Sequence, residues 1–177
     1  AVFDNEEVGS QTRQGAASTF LYDVLRRVSA AFGKDYDAAV AGSLMLSCDN
    51  AHAIHPNHPE YADKNHHVRM NGGVVVKYNA NQRYTTDAWS AALFRVICAR
   101  AGVPVQLYAN RADMPGGSTL GNIANTQVSL PTVDIGAAQL AMHSAYETAG
   151  AADTAYLYRA IKQAFETSLT AVSDGAA

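Results

Sequence analysis

The chain has 177 residues, 48% of them hydrophobic and 16% charged, with 13 Lys and Arg against 16 Asp and Glu. At about 150 residues per domain this is one folded unit with enough apolar side chains for a real core, which excludes a disordered chain. A net charge of −3, with no basic run longer than Arg26-Arg27, argues against nucleic acid as the main partner, because phosphate binding needs clustered cations.

Val2-Phe3 reads as the tail of a strand and Val8-Gly9-Ser10 as the turn leaving it. Ser18 to Phe32 carries Phe20, Leu21, Val24, Leu25 and Val28 at helical spacing, with Ser18 as N-cap and Gly33 beyond the end. Ser43 to Cys48 is a short apolar run, the pattern of a strand covered on both faces. Asn50 to Asn71 holds five of the six histidines, shows no period and reads as a long loop. Loops of that length inside compact domains are usually functional or disordered. Gly72-Gly73 introduces a β-branched strand, Val74 to Tyr78. Thr86 or Asp87 caps a helix running through Ala88, Leu93, Phe94 and Cys98 and closed by Gly102-Val103-Pro104. Val105 to Tyr108 is the next strand, Arg111 to Gly121 a Gly-rich loop, Ile123 to Thr126 a short helix and Thr132 to Ile135 a strand. Ala151 to Val172 contains the last helix, with Leu157, Ile161, Ala164, Phe165 and Leu169 on one face. Alternating strands and helices with short connections predict an α/β fold with a largely parallel sheet.

The longest mostly apolar stretch, Ala38 to Leu46, is far short of the ~20 residues of a membrane helix. The first residues carry neither a charged n-region nor an apolar h-region, so no secretory leader is expected there. Cys48 and Cys98 are too few for a disulfide scaffold and fit a reducing compartment. The expectation is a soluble cytoplasmic unit.

Two acidic groups follow apolar segments, where open α/β sheets bind ligands at the carboxyl ends of their strands. In Asp4-Asn5-Glu6-Glu7 one glutamate is able to ligate a divalent metal while the other removes a proton from water; a solvated acidic turn is the competing reading. In Asp49-Asn50-Ala51-His52-Ala53-Ile54-His55 the aspartate and either histidine have ligand chemistry. Cys48 reads as a small buried hydrophobe. His143, in the apolar Leu140-Ala141-Met142-His143-Ser144, is either a core residue or a distant third ligand. Lys77, with Arg83-Tyr84 close by, is either a cation for a carboxylate-bearing substrate or an edge-strand lysine that blocks aggregation. The loop Met114 to Thr119 lets backbone approach a ligand closely but lacks the Gly-Lys-Ser/Thr of a phosphate loop.

Five segments together resemble the aspartyl aminopeptidases, cytosolic dinuclear zinc metallopeptidases. They are Phe3 to Ser10, Asp49 to Pro56, Val76 to Asn79 with Gln82 to Tyr84, Pro115 to Gly121, and Leu140 to Ser144, in the family's order and nearly its spacing. The resemblance implies a three-layer α/β/α fold with a largely parallel central sheet. Residues 1–177 would be the C-terminal part of the catalytic domain, the upstream catalytic part and a β-rich dimerisation domain lying outside them. It implies that Glu6 is the general base, that Glu7 and His143 ligate one zinc, and that Asp49 ligates the other. Lys77 and Tyr84 would lie near the substrate's acidic side chain, and His52 near the scissile carbonyl. The implied reaction removes an N-terminal Asp or Glu from a peptide, using two Zn2+ per complete site, with other divalent cations as substitutes. The family's upstream His and metal-bridging Asp are not in this stretch, so the isolated chain is expected to be inactive. It would act in a homo-oligomer (a dodecamer in the family) or with a companion N-terminal chain. Two alternatives stand beside this: an incomplete subunit with a structural or interaction role, and a His-rich segment, His52 to His67, that stores or senses metal.

Overall fold

A computed structural model of the chain describes residues 1–169. Its elements in order are helices α1 (Phe20–Ala31) and α2 (Tyr36–Ala41), strands β1 (Met45–Cys48) and β2 (Ala51–His52), a 3-10 turn at Pro59–Tyr61, and strand β3 (Val74–Tyr78). Helix α3 (Ala88–Arg100), strand β4 (Val105–Ala109), helix α4 (Leu120–Ala124), strands β5 (Thr132–Gly136), β6 (Ala138–Leu140) and β7 (Thr148–Ala149), and helix α5 (Ala151–Glu166) follow.

The main sheet has the order β1-β5-β3-β4, and a smaller one the order β2-β6-β7. β1 runs parallel to β5 and β3 parallel to β4, but β5 and β3 pair antiparallel. The sheet is therefore two parallel pairs back to back, and the carboxyl ends of β3 and β4 point away from those of β1 and β5. The β1/β5 pair continues as the parallel β2/β6 pair, the amides of Asp49 and Ala51 donating to the carbonyls of Ile135 and Ala137.

Strand alternation sorts the two faces. Val74, Val76, Val133 and Ile135 pack on one side against Phe94 and Cys98 of α3 and Ala160 of α5. Val75 points to the other side, against Ala51, Val68 and Ala138. α4 covers β1 on that second face, where a Cβ on Gly121 would lie 2.7 Å from both Asp134 Oδ1 and Ser47 Oγ, so only glycine permits the approach. Helices thus lie on both faces of a mixed, parallel-rich sheet. Two buried carboxylates stitch the loops to it. Asp134 accepts from the Thr85 amide (2.6 Å), the Thr85 hydroxyl (2.9 Å) and the Thr119 hydroxyl (2.6 Å). Asp153, on α5, accepts from the amides of Asn71 (2.6 Å) and Gly73 (3.0 Å).

Local chemistry accounts for most boundaries. Asp87, not Thr86, caps α3, in a reciprocal box with Ser90; the Thr86 hydroxyl instead accepts from the Asp134 amide. α1 ends in a Schellman turn, with Gly33 at φ +63° and the Lys34 amide donating to Ser29 O at 2.8 Å. Its start is one residue later than expected: Thr19 is the cap position, while the Ser18 hydroxyl accepts from the Phe20 amide at 3.3 Å.

Other expectations change. Val2-Phe3 pairs with no strand among the described residues; Val2 is exposed and Phe3 meets the Phe20 ring edge-on instead. α2, capped by the Asp35 carboxylate, occupies the start of a stretch read only as apolar. Residues 50–71 are not structureless but contain β2 and the 3-10 turn. α4 begins three residues before the expected Ile123, because the Gly121 approach fixes it over β1. Cys48 is exposed rather than buried: alternation turns Ser47 inward, and Cys48 faces an open groove with Ile97 and Ile161. α5 ends at Glu166, where Thr167 turns extended; Phe165 is exposed, and Val172 lies outside the described residues.

Candidate active site

Six of the residues singled out in the sequence surround one cleft of about 200 Å³: Glu7, Asp49, His52, Lys77, Tyr84 and His143. Asp49 occupies the break between β1 and β2, where the chain passes from the large sheet to the small one, and its Oδ1 accepts from the Asn50 amide at 2.6 Å. Lys77 lies on β3, which has neighbours on both sides, so it is not an edge-strand lysine. Because β3 runs against β5, strand polarity does not deliver Lys77 to the Asp49 end; its long side chain does, crossing the sheet face. Its ammonium, 2% exposed, donates to Asn50 O at 2.9 Å and to Asp49 Oδ2 at 3.4 Å. It also lies 5.1 Å from the centre of the Tyr84 ring. Burying a lysine is tolerable only with such partners.

The opposite wall comes from turns. Residues 5–17 form stitched turns, with the Thr12 amide donating to Gly9 O (2.9 Å), the Ala17 amide to Ser10 O (3.0 Å) and the Ser10 hydroxyl to Glu6 O. They present Glu7 to His143, whose Nε2 is 2.6 Å from Glu7 Oε1. His143 is thus a half-exposed, paired side chain and not a core residue. Its turn, between β6 and β7, carries Ala141 at φ +56° and His143 at φ +67°. Left-handed backbone at such residues costs about 1 kcal/mol or more each, and the Glu147 carboxylate accepting from the His143 amide (2.6 Å) helps to hold it.

Electrostatics link the walls. The Glu6 carboxyl is pushed up to about 7, chiefly by burial and then by the Glu7 charge, a hydrogen bond to Glu7 and the Asp49 charge, with His143 opposing them. His52, beside the Tyr108 ring (centroids 6.4 Å apart), is held below the ordinary imidazole value by desolvation, then by the Lys77 and His143 charges. Burial likewise raises the Tyr84 phenol.

Among the described residues no three His, Cys, Asp or Glu side chains converge to hold one ion, in the His-rich segment or elsewhere. The Glu7–His143 pair and Asp49 still fit a divalent cation by donor chemistry: carboxylate oxygens and an imidazole, beside Glu6, whose proton affinity the other carboxylates raise.

Tyr108, near the end of β4, and the Asn50 carbonyl also line this site and were not anticipated. The sequence signal for Tyr108 was its alternation with Gln106 on one strand face. For Asp134, which supports the Thr119 loop, the signal was a carboxylate inside an otherwise apolar strand.

The sequence model of the aminopeptidase I zinc metalloprotease family (M18) matches residues 1–165. The chain is 50% identical over 168 residues to a probable M18 family aminopeptidase 2 of Mycobacterium leprae, covering 93% of this chain and 39% of that protein. It is 44% identical to a probable aspartyl aminopeptidase of Ricinus communis, covering 94% of this chain and 34% of the other. It superposes on the mApe1 dodecamer structure from S. cerevisiae with a TM-score of 0.86 at 32% identity, covering 97% of this chain and 38% of that one. The chain therefore spans well under half the length of these relatives. The fold and the sequence match agree, and the chain belongs to the M18 family of zinc metalloprotease aminopeptidases.

Proposed function

We propose that this chain supplies the general base, part of the metal-ligand set and the acid-recognising wall of an aminopeptidase that releases N-terminal Asp or Glu from peptides. The observation that carries it is the Lys77 ammonium. It is buried in the cleft, facing Tyr84, with two of its three N–H donors used by Asn50 and Asp49. The third is left for a substrate carboxylate, a charge-assisted bond worth ~1.5–3 kcal/mol.

Glu7 and His143 would hold one zinc ion and Asp49 the other. When bound, zinc supplies a Lewis acid for the scissile carbonyl and lowers the pKa of water. Glu6, poised near neutrality, takes the proton of the attacking water and returns it to the departing amine. His52, held below the ordinary imidazole value, would donate to the carbonyl oxygen as charge develops. The test compares kcat/KM on Asp-, Glu-, Asn- and Leu-amides in the polypeptide that carries this chain at its natural full length. A preference for the acidic pair, abolished by Lys77→Met, supports the reading; equal rates on Asp and Leu would sink it.

A second reading concerns completeness. Glu7, His143 and Asp49 are fewer than the ligands two zinc ions need, and the chain spans 39% of the M. leprae relative. We infer that the missing ligands come from outside these residues, and that the chain works within a homo-oligomer, as the neighbour described as a dodecamer suggests. Zinc titration separates the two states: residues 1–177 alone should hold at most one ion weakly, the complete protein two.

A further inference from the structure

A second cleft of about 310 Å³ adjoins the first and shares His52, Tyr108 and Gly117 with it. That volume is at the lower end of the ~300–1,000 Å³ range of ligand sites. Two features separate it from an accidental gap between loops. Gln139, 4% exposed, lines it, and its Nε2 is a buried donor without a hydrogen-bond partner. Native proteins rarely leave such a group unpaired, because the lost bond costs ~1–3 kcal/mol, and a small turn of the side chain toward an acceptor brought into the cleft would recover it. Gln139 stands opposite His52 in the parallel β2/β6 register, one strand spacing (~4.8 Å) away. The unpaired donor is therefore adjacent to the residue placed at the scissile carbonyl.

The far wall is aromatic and pre-organised. The His58 ring stacks on Tyr61, with centroids 5.3 Å apart and planes 20° apart. The Arg111 guanidinium ties this segment to the end of β4 by donating to Glu60 O, while its other nitrogens bind Asp113 at 2.6 Å. The charged groups of the lining are already engaged, Asp63 with His66 at 2.7 Å and Arg111 with Asp113, so what the cleft offers a peptide is the Gln139 amide and the ring faces, and the described residues place no metal-holding trio there.

We propose that this cleft holds the residues of the peptide immediately beyond the cleaved bond. Gln139 Nε2 donates to a backbone carbonyl, and the His58–Tyr61 stack bears an apolar or aromatic side chain. The inference rests on the aminopeptidase reading and adds to it the path of the departing peptide. It makes the enzyme selective for chain length and for the residue after the acidic one.

The experiment measures kcat/KM of the full-length, zinc-loaded protein on aspartyl amide and on Asp-Phe-Ala and Asp-Gly-Ala peptides. The unsubstituted protein should prefer Asp-Phe-Ala to the amide. Tyr61→Ala and Gln139→Leu should each lower the peptide-to-amide ratio roughly tenfold, the scale of one lost hydrogen bond or ring contact. Because the amide is the internal reference, a variant that only folds poorly loses both activities and leaves the ratio unchanged. Tyr61, an exposed side chain, provides a variant in which folding is not at issue. An unsubstituted protein that gains nothing from added residues, or a Tyr61→Ala variant that keeps its amide activity and an unchanged ratio, would overturn this inference alone. Failure to cleave either substrate overturns the aminopeptidase reading as well.

Discussion

Lys77 is 2% exposed on an interior strand, whereas Glu7 and His143 meet at 2.6 Å with 63% and 61% of their side chains in water. The two walls of the cleft thus hold charge in different ways. On the strand wall a buried cation is compensated by Asn50 O, Asp49 and the Tyr84 ring, and the neighbouring Asp134 by Thr85 and Thr119; removing any one leaves a desolvated partner. On the turn wall the pair is solvent-screened and contributes at most ~1 kcal/mol to stability. Its groups remain free to exchange one partner for a cation. The strand wall is rigid and the turn wall adaptable, which suits the roles proposed above for Lys77 and for the Glu7–His143 pair.

Substitutions on each wall should separate these roles. The largest effect is expected for Glu6→Gln on the turn wall. Loss of the base should lower kcat by about 10²–10⁴ with the urea midpoint almost unmoved. A comparable fall in stability would mean that the turn wall is structural after all. On the strand wall Asp134→Ala, which strands three donors, should cost about 3 kcal/mol in urea unfolding. Lys77→Met keeps the volume and removes the charge. It should reduce kcat/KM on Asp substrates roughly 100-fold while changing Leu-amide turnover little, and an equal loss on both would break the assignment. His143→Ala should shift stability by less than ~1 kcal/mol, yet weaken zinc binding at least ~10-fold in a chelator competition.

The smallest effect is the pH dependence contributed by Glu6. Its folded-state value is raised from 4.5 to about 7, so the folded protein binds this proton more tightly than the unfolded chain. The stability it contributes is complete below the unfolded value and is lost as pH rises through about 7. With chelator present, urea midpoints at about pH 5 and about pH 8 should differ more for the unsubstituted chain than for Glu6→Gln. A steeper slope in the variant would show that Glu6 is not the titrating group.

Elements governed by neighbouring residues were legible from the chain alone. Val74-Val75-Val76 is a strand because β-branched side chains suit a pleated surface, and Asp87 starts a helix because its carboxylate satisfies a free amide. β6 and β7 were not legible: three and two residues long, they are strands because β2 passes beside β6 and β6 beside β7. Val2-Phe3 shows the converse, a strand-like dipeptide with no strand beside it among the described residues. Cys48 was misplaced for a similar reason, since apolar character does not say which face of a strand is covered.

The sequence by itself determined which chemical groups are present and where each begins or ends an element, because caps, turns and periodicity are short-range. For Glu6-Glu7, Asp49, Lys77 and His143 residue chemistry left functional and structural readings open, and only resemblance to a known family chose between them. Tertiary structure decided that 136 residues of separation close to 2.6 Å between Glu7 and His143, and that β3 runs against β5. It also decided that Lys77 is buried and Glu7 is not. Strand order and burial are sums over long-range contacts, and a lysine's charge acts strongly on its neighbours only once those contacts have removed the water around it.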